Sequence, residues 1–177
     1  MILRPYVADD LPGLHDLYGR EDVCRYLPWE PMDLDQARAK LEQRIGQAHI
    51  DADGDAIVLA AVDPETGRTI GEFMLRLTSN EHRQGEIGWV IHPDVQGRGL
   101  ATEGASEMLR LGFDELSLHR ITAGSDARNV ASIRVMERLG MRREAAFVDS
   151  ELVRGEWLSG TIYALLESEW GSNRRPT

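Results

Sequence analysis

The sequence predicts an α+β (mixed α/β) fold with a mostly antiparallel sheet flanked by helices. Three observations lead there. Residues 56–62, 69–78 and 86–91 are short strand-like runs joined by short turns, which reads as an antiparallel meander. On either side of them, from Asp33 and again from Leu100, apolar residues recur every three or four positions, the period of a helix with one buried face. Past residue 120, strand and helix patterns alternate, so the sheet is not built from the meander alone.

The elements follow in order. Residues 2–6 read as a first strand, and Asp9 and Asp10 as caps for a helix reaching Tyr18. Pro28, Trp29, Glu30 and Pro31 break the helical pattern. Asp33 followed three positions later by Gln36 is a capping box, and Leu34, Ala37, Leu41, Ile45 and Ala48 then mark one apolar helix face. The continuous apolar run 56–62 suits a buried strand, and the cluster from Asp63 to Gly67 suits a turn. His92 and Pro93 end the strand 86–91. Leu100, Ala101, Ala105, Met108, Leu109, Phe113 and Leu116 set the next helix, and residues 120–125 the next strand. Asn129 caps a helix that holds Ile133, Met136 and Leu139 and stops at Gly140. Strands at 141–147 and 161–166 close the pattern. No linker or repeat interrupts the chain, so one domain over 1–171 and a polar tail over 172–177 are expected.

Composition removes several function classes. The 177 residues carry 20 Lys and Arg against 30 Asp and Glu, a net charge of −10. Such a surface repels phosphates, which argues against nucleic-acid and anionic-membrane partners and is compatible with a cationic substrate. The one cysteine, Cys24, allows no intrachain disulfide and no cysteine-rich zinc site, and it reads as a small buried apolar residue. No apolar run approaches the ~18 residues of a membrane span. The first ten residues turn acidic at once, unlike a signal peptide, and a cytoplasmic protein is expected.

The most informative stretch is His92-Pro93-Asp94-Val95-Gln96-Gly97-Arg98-Gly99-Leu100-Ala101-Thr102-Glu103. A strand ends, a loop with two glycines follows, and a long helix begins. Glycines let several backbone N–H groups point at one place, and a helix N-terminus adds unpaired donors and partial positive charge. That combination binds an anion, phosphate or pyrophosphate above all. The loop is no nucleotide P-loop, since G-x-x-x-x-G-K-[S/T] is missing, and no dinucleotide fingerprint, since Thr102 stands where the third glycine belongs. Taken alone, the loop fits a plain helix start as well as a ligand site. Neither H-E-x-x-H nor G-x-S-x-G occurs, which removes the common metal-hydrolase and serine-hydrolase readings and leaves no metal expected.

Gln96-Gly97-Arg98-Gly99-Leu100-Ala101 matches the Q/R-x-x-G-x-G/A motif, and with it the sequence resembles the GNAT superfamily of N-acetyltransferases. Asn129-x-x-Ser132 and Glu137-x-x-Gly140-Met141 look like the branch of ribosomal-protein N-terminal acetyltransferases, the RimJ/RimL type. Tyr26-Leu27-Pro28-Trp29, Glu86-Ile87-Gly88-Trp89, Gly155-Glu156-Trp157 and the stretch from Tyr163 to Trp170 stand where that branch has similar residues, the last two matching its closing strand. Each motif is weak alone. Their order and spacing across nearly the whole chain are specific.

The resemblance implies a sheet splayed at an acetyl-CoA site and direct acetyl transfer to an amine, either a protein N-terminal α-amine or a small molecule. Gln96, Gly97, Arg98, Gly99, Leu100, Ala101 and Thr102 would hold the pyrophosphate. Trp89, Val90 and Ile91 would pair with the pantetheine arm, with an N–H near Trp89 or Val90 polarising the thioester carbonyl. Amines are mostly protonated at neutral pH, so a base is needed. Glu86 is the first choice, with a solvated strand-edge Glu as the bland alternative and Glu72 and His92 in reserve. Many relatives place a tyrosine where this chain has Met136, which cannot donate a proton. The Rim type has a serine, and Ser132 matches it, with Asn129 as a pantetheine contact or a plain N-cap. Arg134 and Arg138 stand near the same helix. Tyr26, Trp29 and Trp157 are candidate acceptor walls. Ser159 departs from the branch, which often has Asp there. The resemblance leaves a homodimer open, and a non-catalytic acyl-CoA-binding or sensing domain is the alternative function.

Overall fold

The strands are β1 (Ile2–Pro5), β2 (Ala56–Val62), β3 (Thr69–Ser79), β4 (Gln84–Ile91), β5 (Arg120–Asp126), β6 (Arg142–Val153) and β7 (Glu156–Leu166). In the computed structural model, which describes residues 1–173, they form one seven-stranded sheet in the order β1-β2-β3-β4-β5-β7-β6. All neighbours are antiparallel except β4 and β5. Of the expected tail, 174–177 lie outside the described residues, and 172 and 173 end a helix. Among the described residues no helix is long and apolar enough to cross a membrane.

Alternation along the strands creates two cores. Phe73, Leu75 and Leu77 of β3 and Ile87 of β4 pack under α4 (Leu100–Arg110), with Met108 and Leu109 from that helix and Val135 and Met136 from α5 (Val130–Arg138). Ala56, Val58, Ala60 and Val62 of β2 face the other way, onto Leu14, Leu17 and Tyr18 of α1 (Leu11–Tyr18) and Ala37 and Leu41 of α3 (Leu34–Gly46). α4 lies close on the sheet because Gly104 has no side chain. A Cβ there would fall 2.2 Å from the tip of the Phe73 ring.

Local signals set most helix ends. The Asp33–Gln36 capping box forms, with Gln36 N–H donating to Asp33 Oδ1 at 2.8 Å and Asp33 N–H to Gln36 Oε1 at 2.9 Å. Asn129 caps α5 by accepting from Ser132 N–H at 3.2 Å, and Gly140 takes the positive φ that ends it. Cys24 is fully buried, its thiol donating to the Tyr18 C=O at 3.3 Å.

Four expectations change. Asp10 does not cap α1; it turns back, receiving two bonds of 2.7 Å from Arg4, one from Val7 N–H at 2.9 Å and one from Thr69 at 3.0 Å. Leu34 and Ile45 are exposed, so the buried stripe of α3 is narrower than its sequence pattern. β6 and β7 are longer than the expected 141–147 and 161–166, and Glu167–Asn173 is a helix, α6, not a continuation of the closing strand. A further short helix, α2 (Glu21–Cys24), precedes the Pro28–Pro31 break.

Candidate active site

The parallel seam between β4 and β5 is short. Its register pairs Gln84, Gly85 and Glu86 with Arg120, Ile121 and Thr122, and ends there. Beyond it the two strands diverge, each still paired on its outer side, β4 with β3 and β5 with β7. The result is a fork. His92 N–H donates to Ile70 C=O on the β3 side at 2.9 Å. With a strand period of two, Val90 also faces β3, whereas Trp89 and Ile91 aim their backbone groups into the fork. Gln96 closes one of these groups, its Nε2 donating to the Ile91 C=O at 3.0 Å. The amide side chain therefore ties the glycine loop to the end of β4.

The loop itself presents donors. Gly97 and Gly99 have φ of 77° and 81°, and around the place where each would carry a Cβ the space is open. Gly99 is the N-cap of α4 and offers no side-chain cap, so the first N–H groups of the helix point outward unpaired. Thr102 has a buried hydroxyl with no hydrogen-bond partner among the described residues. Orphaned buried groups are rare, and this one stands in the first turn of α4 beside the unpaired N–H groups. Arg98 does not face this space; it is exposed and its guanidinium donates to Asp94 C=O at 3.2 Å.

Fork, loop and helix ends enclose a cleft of about 390 Å3. One wall is Asp22, Val23, Tyr26 and Leu27, from α2 and the loop after it; the floor is Trp89, Val90 and Ile91. Gln96, Gly97, Gly99, Leu100, Ala101 and Thr102 form one end, and Asn129, Ser132, Arg134 and Arg138 the facing wall on α5. Backbone groups along one arm, an N–H-rich end and two arginines on the facing wall fit an extended ligand with amides in its middle and phosphates at its head, which is the outline of acetyl-CoA.

The other candidates are placed differently. Glu86 stands at the root of the fork, half-buried, with Arg76 Nη1 3.8 Å from its Oε2. Glu72 is buried and fully engaged: it accepts from Tyr6 at 3.1 Å, Tyr18 at 2.9 Å and Arg44 at 3.0 and 2.8 Å. Burial and the Glu72 charge push both tyrosine hydroxyls well above their usual range. His92 is buried beneath the loop, accepting from Asp94 N–H at 3.2 Å, with Arg68 Nη2 2.9 Å from its other nitrogen. Trp29 does not line the cleft; it packs on Tyr18 in the second core, with Lys40 Nζ 4.6 Å from its ring. Trp157 does not line it either and is 62% exposed on β7. Met136 is fully buried in the core. Tyr26, a candidate acceptor wall from the sequence, does line the cleft, whereas Asp22 and Val23 of α2 were missed because four helical residues are too few to show a period.

The family model described as "Acetyltransferase (GNAT) domain" matches residues 1–142. YnaD of Bacillus subtilis (strain 168), an uncharacterized N-acetyltransferase, is 32% identical over 96% of this chain and 95% of its own length. The spermidine N(1)-acetyltransferase of Escherichia coli (strain K12) is 25% identical over 95% of this chain and 87% of its own length. A GNAT-family acetyltransferase from Bacillus anthracis superposes with a TM-score of 0.83 at 30% identity, covering 94% of this chain and 95% of that one. The forked sheet, the glycine loop and these likenesses agree: the chain belongs to the GNAT family and is an acetyl-CoA-dependent N-acetyltransferase of amines.

Proposed function

We propose that the acceptor is a small cationic amine of the polyamine class, acetylated where the fork meets the α2 wall, with residues 1–171 working as one catalytic domain. The observation that carries the placement of the reaction is the end of the β4–β5 seam at Glu86, which turns backbone groups of β4 into ligand groups. The acidic chain and the spermidine N(1)-acetyltransferase among its relatives support the acceptor class. The Rim-type pattern Asn129-x-x-Ser132 favours a second reading, a protein N-terminal α-amine.

Acetyl-CoA supplies the acetyl group as a thioester. The N–H groups of Gly97 to Thr102 and the Thr102 hydroxyl hold its pyrophosphate, with Arg134 and Arg138 adding positive charge. Trp89 N–H, aimed into the fork, receives the negative charge that develops on the thioester oxygen, a contribution of about 3 kcal/mol for such a donor. Glu86 takes the proton from the incoming ammonium. It lies three residues up the strand from Trp89, about 10 Å, so the proton passes through water. Ser132 passes a proton to the departing thiolate and regains one from the nitrogen, which turns acidic once it has bonded to the thioester carbon. Asn129 holds Ser132 in place through the cap bond.

The test is thiol release from acetyl-CoA with spermidine and with a short peptide beginning in Ala. Turnover of spermidine with at least tenfold higher kcat/KM supports the first reading, and the reverse ratio supports the second. A rise in Tm with CoA but no turnover of either amine points to the non-catalytic acyl-CoA-binding domain.

A further inference from the structure

The β6–β7 hairpin turns through Arg154 and Gly155, whose φ values are 51° and 79°. Two consecutive positive values make the tight turn that suits hairpins, and asparagine followed by glycine is its preferred pair. An arginine in the first position is strained, and its side chain reaches across 130 positions of sequence. Nη2 donates to the C=O groups of Cys24 at 3.0 Å, Arg25 at 3.2 Å and Leu27 at 3.5 Å. Nη1 lies 3.4 Å from Glu30 Oε2. Those carbonyls belong to or directly adjoin Val23, Tyr26 and Leu27 of the α2 wall of the cleft.

The same hairpin holds the other wall. Ser159 C=O accepts from Ala127 N–H at 2.9 Å, and Glu156 Oε2 stands 3.8 Å from Arg128 Nη1. Ala127 and Arg128 lead into Asn129 and α5. One hairpin therefore bonds both to the α2 wall and to the segment that leads into α5, and Arg154 is its bond to the α2 side.

We propose that Arg154 is a positioning residue for the acceptor amine: by gripping the carbonyls behind Tyr26 and Leu27 it sets the width of the acceptor mouth. The inference rests on the reading that the acceptor enters beside the α2 wall. The α2 residues and the glycine loop line one cleft, but the bonds of Arg154 reach only the α2 side, so the acceptor KM responds more than the CoA Kd.

R154N removes the grip while giving the turn its preferred pair, so the hairpin keeps its fold. R154K retains a donor able to reach one or two carbonyls. The measurements are the KM and kcat for whichever of spermidine or the Ala peptide turns over, the Kd for CoA, and amide hydrogen exchange over 24–30. R154N is expected to raise the acceptor KM at least fivefold, with kcat and the CoA Kd within twofold and faster exchange confined to 24–30. R154K is expected to fall between R154N and the parent. Faster exchange with an unchanged acceptor KM makes the grip purely structural and overturns the proposal, as does unchanged exchange. If the parent binds CoA and acetylates neither amine, the acceptor reading itself fails and the proposal falls with it, seen in the parent and not in the variants.

Discussion

Thr102 has a buried hydroxyl without a partner among the described residues, and such a group costs stability unless a ligand satisfies it. T102V removes the orphan while keeping the shape. The expected outcome is a Tm no lower than the parent's and a CoA Kd weakened about tenfold, read by calorimetry, because a hydrogen bond to a phosphate is worth roughly 1.5 kcal/mol. Glu86 and Ser132 separate by pH. E86Q is expected to lower kcat/KM about 100-fold at pH 7, with the loss shrinking as rising pH frees the amine without help. S132A is expected to cost about tenfold or less, because a thiolate is a good leaving group. An E86Q profile parallel to the parent's at every pH would remove Glu86 from the proton path. Residues of this kind were legible where the backbone itself makes the demand: Gly97, Gly99 and Asn129 need particular φ values or cap bonds. Tyr26, Trp29 and Trp157 were expected as acceptor walls because the resemblance puts that pocket on the early helices and last strands; Tyr26 lines the cleft, and Trp29 and Trp157 do not. Nothing local in the sequence says whether an aromatic ring faces a core, a cleft or water, and the two tryptophans face the second core and solvent.

At the scale of elements, the contact of α4 with β3 controls the cleft. Phe73 is fully buried and its ring tip occupies the place of a Gly104 side chain, so neither partner can give way. G104A is expected to destabilise by about 2 kcal/mol, the ordinary cost of overpacking, and to weaken CoA binding as the helix start lifts from the fork. Urea unfolding with and without CoA reads both effects. The sequence showed elements in proportion to how much one face of each is buried. β2 and β3 line the core, and their ranges were read almost to the residue. β6 is an edge strand exposed along nearly its whole length, so its outer half has no alternation to read, and its turn is Arg-Gly instead of Asn-Gly. The fork was an expectation from resemblance. Its cause, a seam that stops after three residue pairs, is a long-range fact that no local pattern encodes.

For the whole molecule, the acidic balance coexists with carboxylates held firmly as anions. Burial pushes Asp10 up, but bonds from Arg4, Val7 N–H and Thr69 outweigh it and lower its pKa. Asp126 is likewise raised by burial and lowered more by Arg128. Arg120, with Arg142 beyond it, brings Glu144 down to about 2. Each group binds its proton more weakly when folded, so its stabilising effect is complete above the unfolded value of about 4 and is lost as pH falls toward the folded value. Tm is expected to stay level from pH 7 to 5 and to fall from pH 4 downward, and E144Q to flatten part of that fall. An acid limb unchanged in E144Q would mean that the Arg120 pair contributes nothing.

The three-pair seam also orders events during synthesis. Strands β1 to β4 lie within the first 91 residues and pair with their neighbours in chain order, whereas β5 to β7 lie within 120–166. At about 5–20 residues per second, the ribosome delivers the first half-sheet seconds before the second. A nascent chain halted near residue 112 is expected to protect the amides of β2 and β3 yet retain no CoA, because the groove exists only once a later half closes on an earlier one.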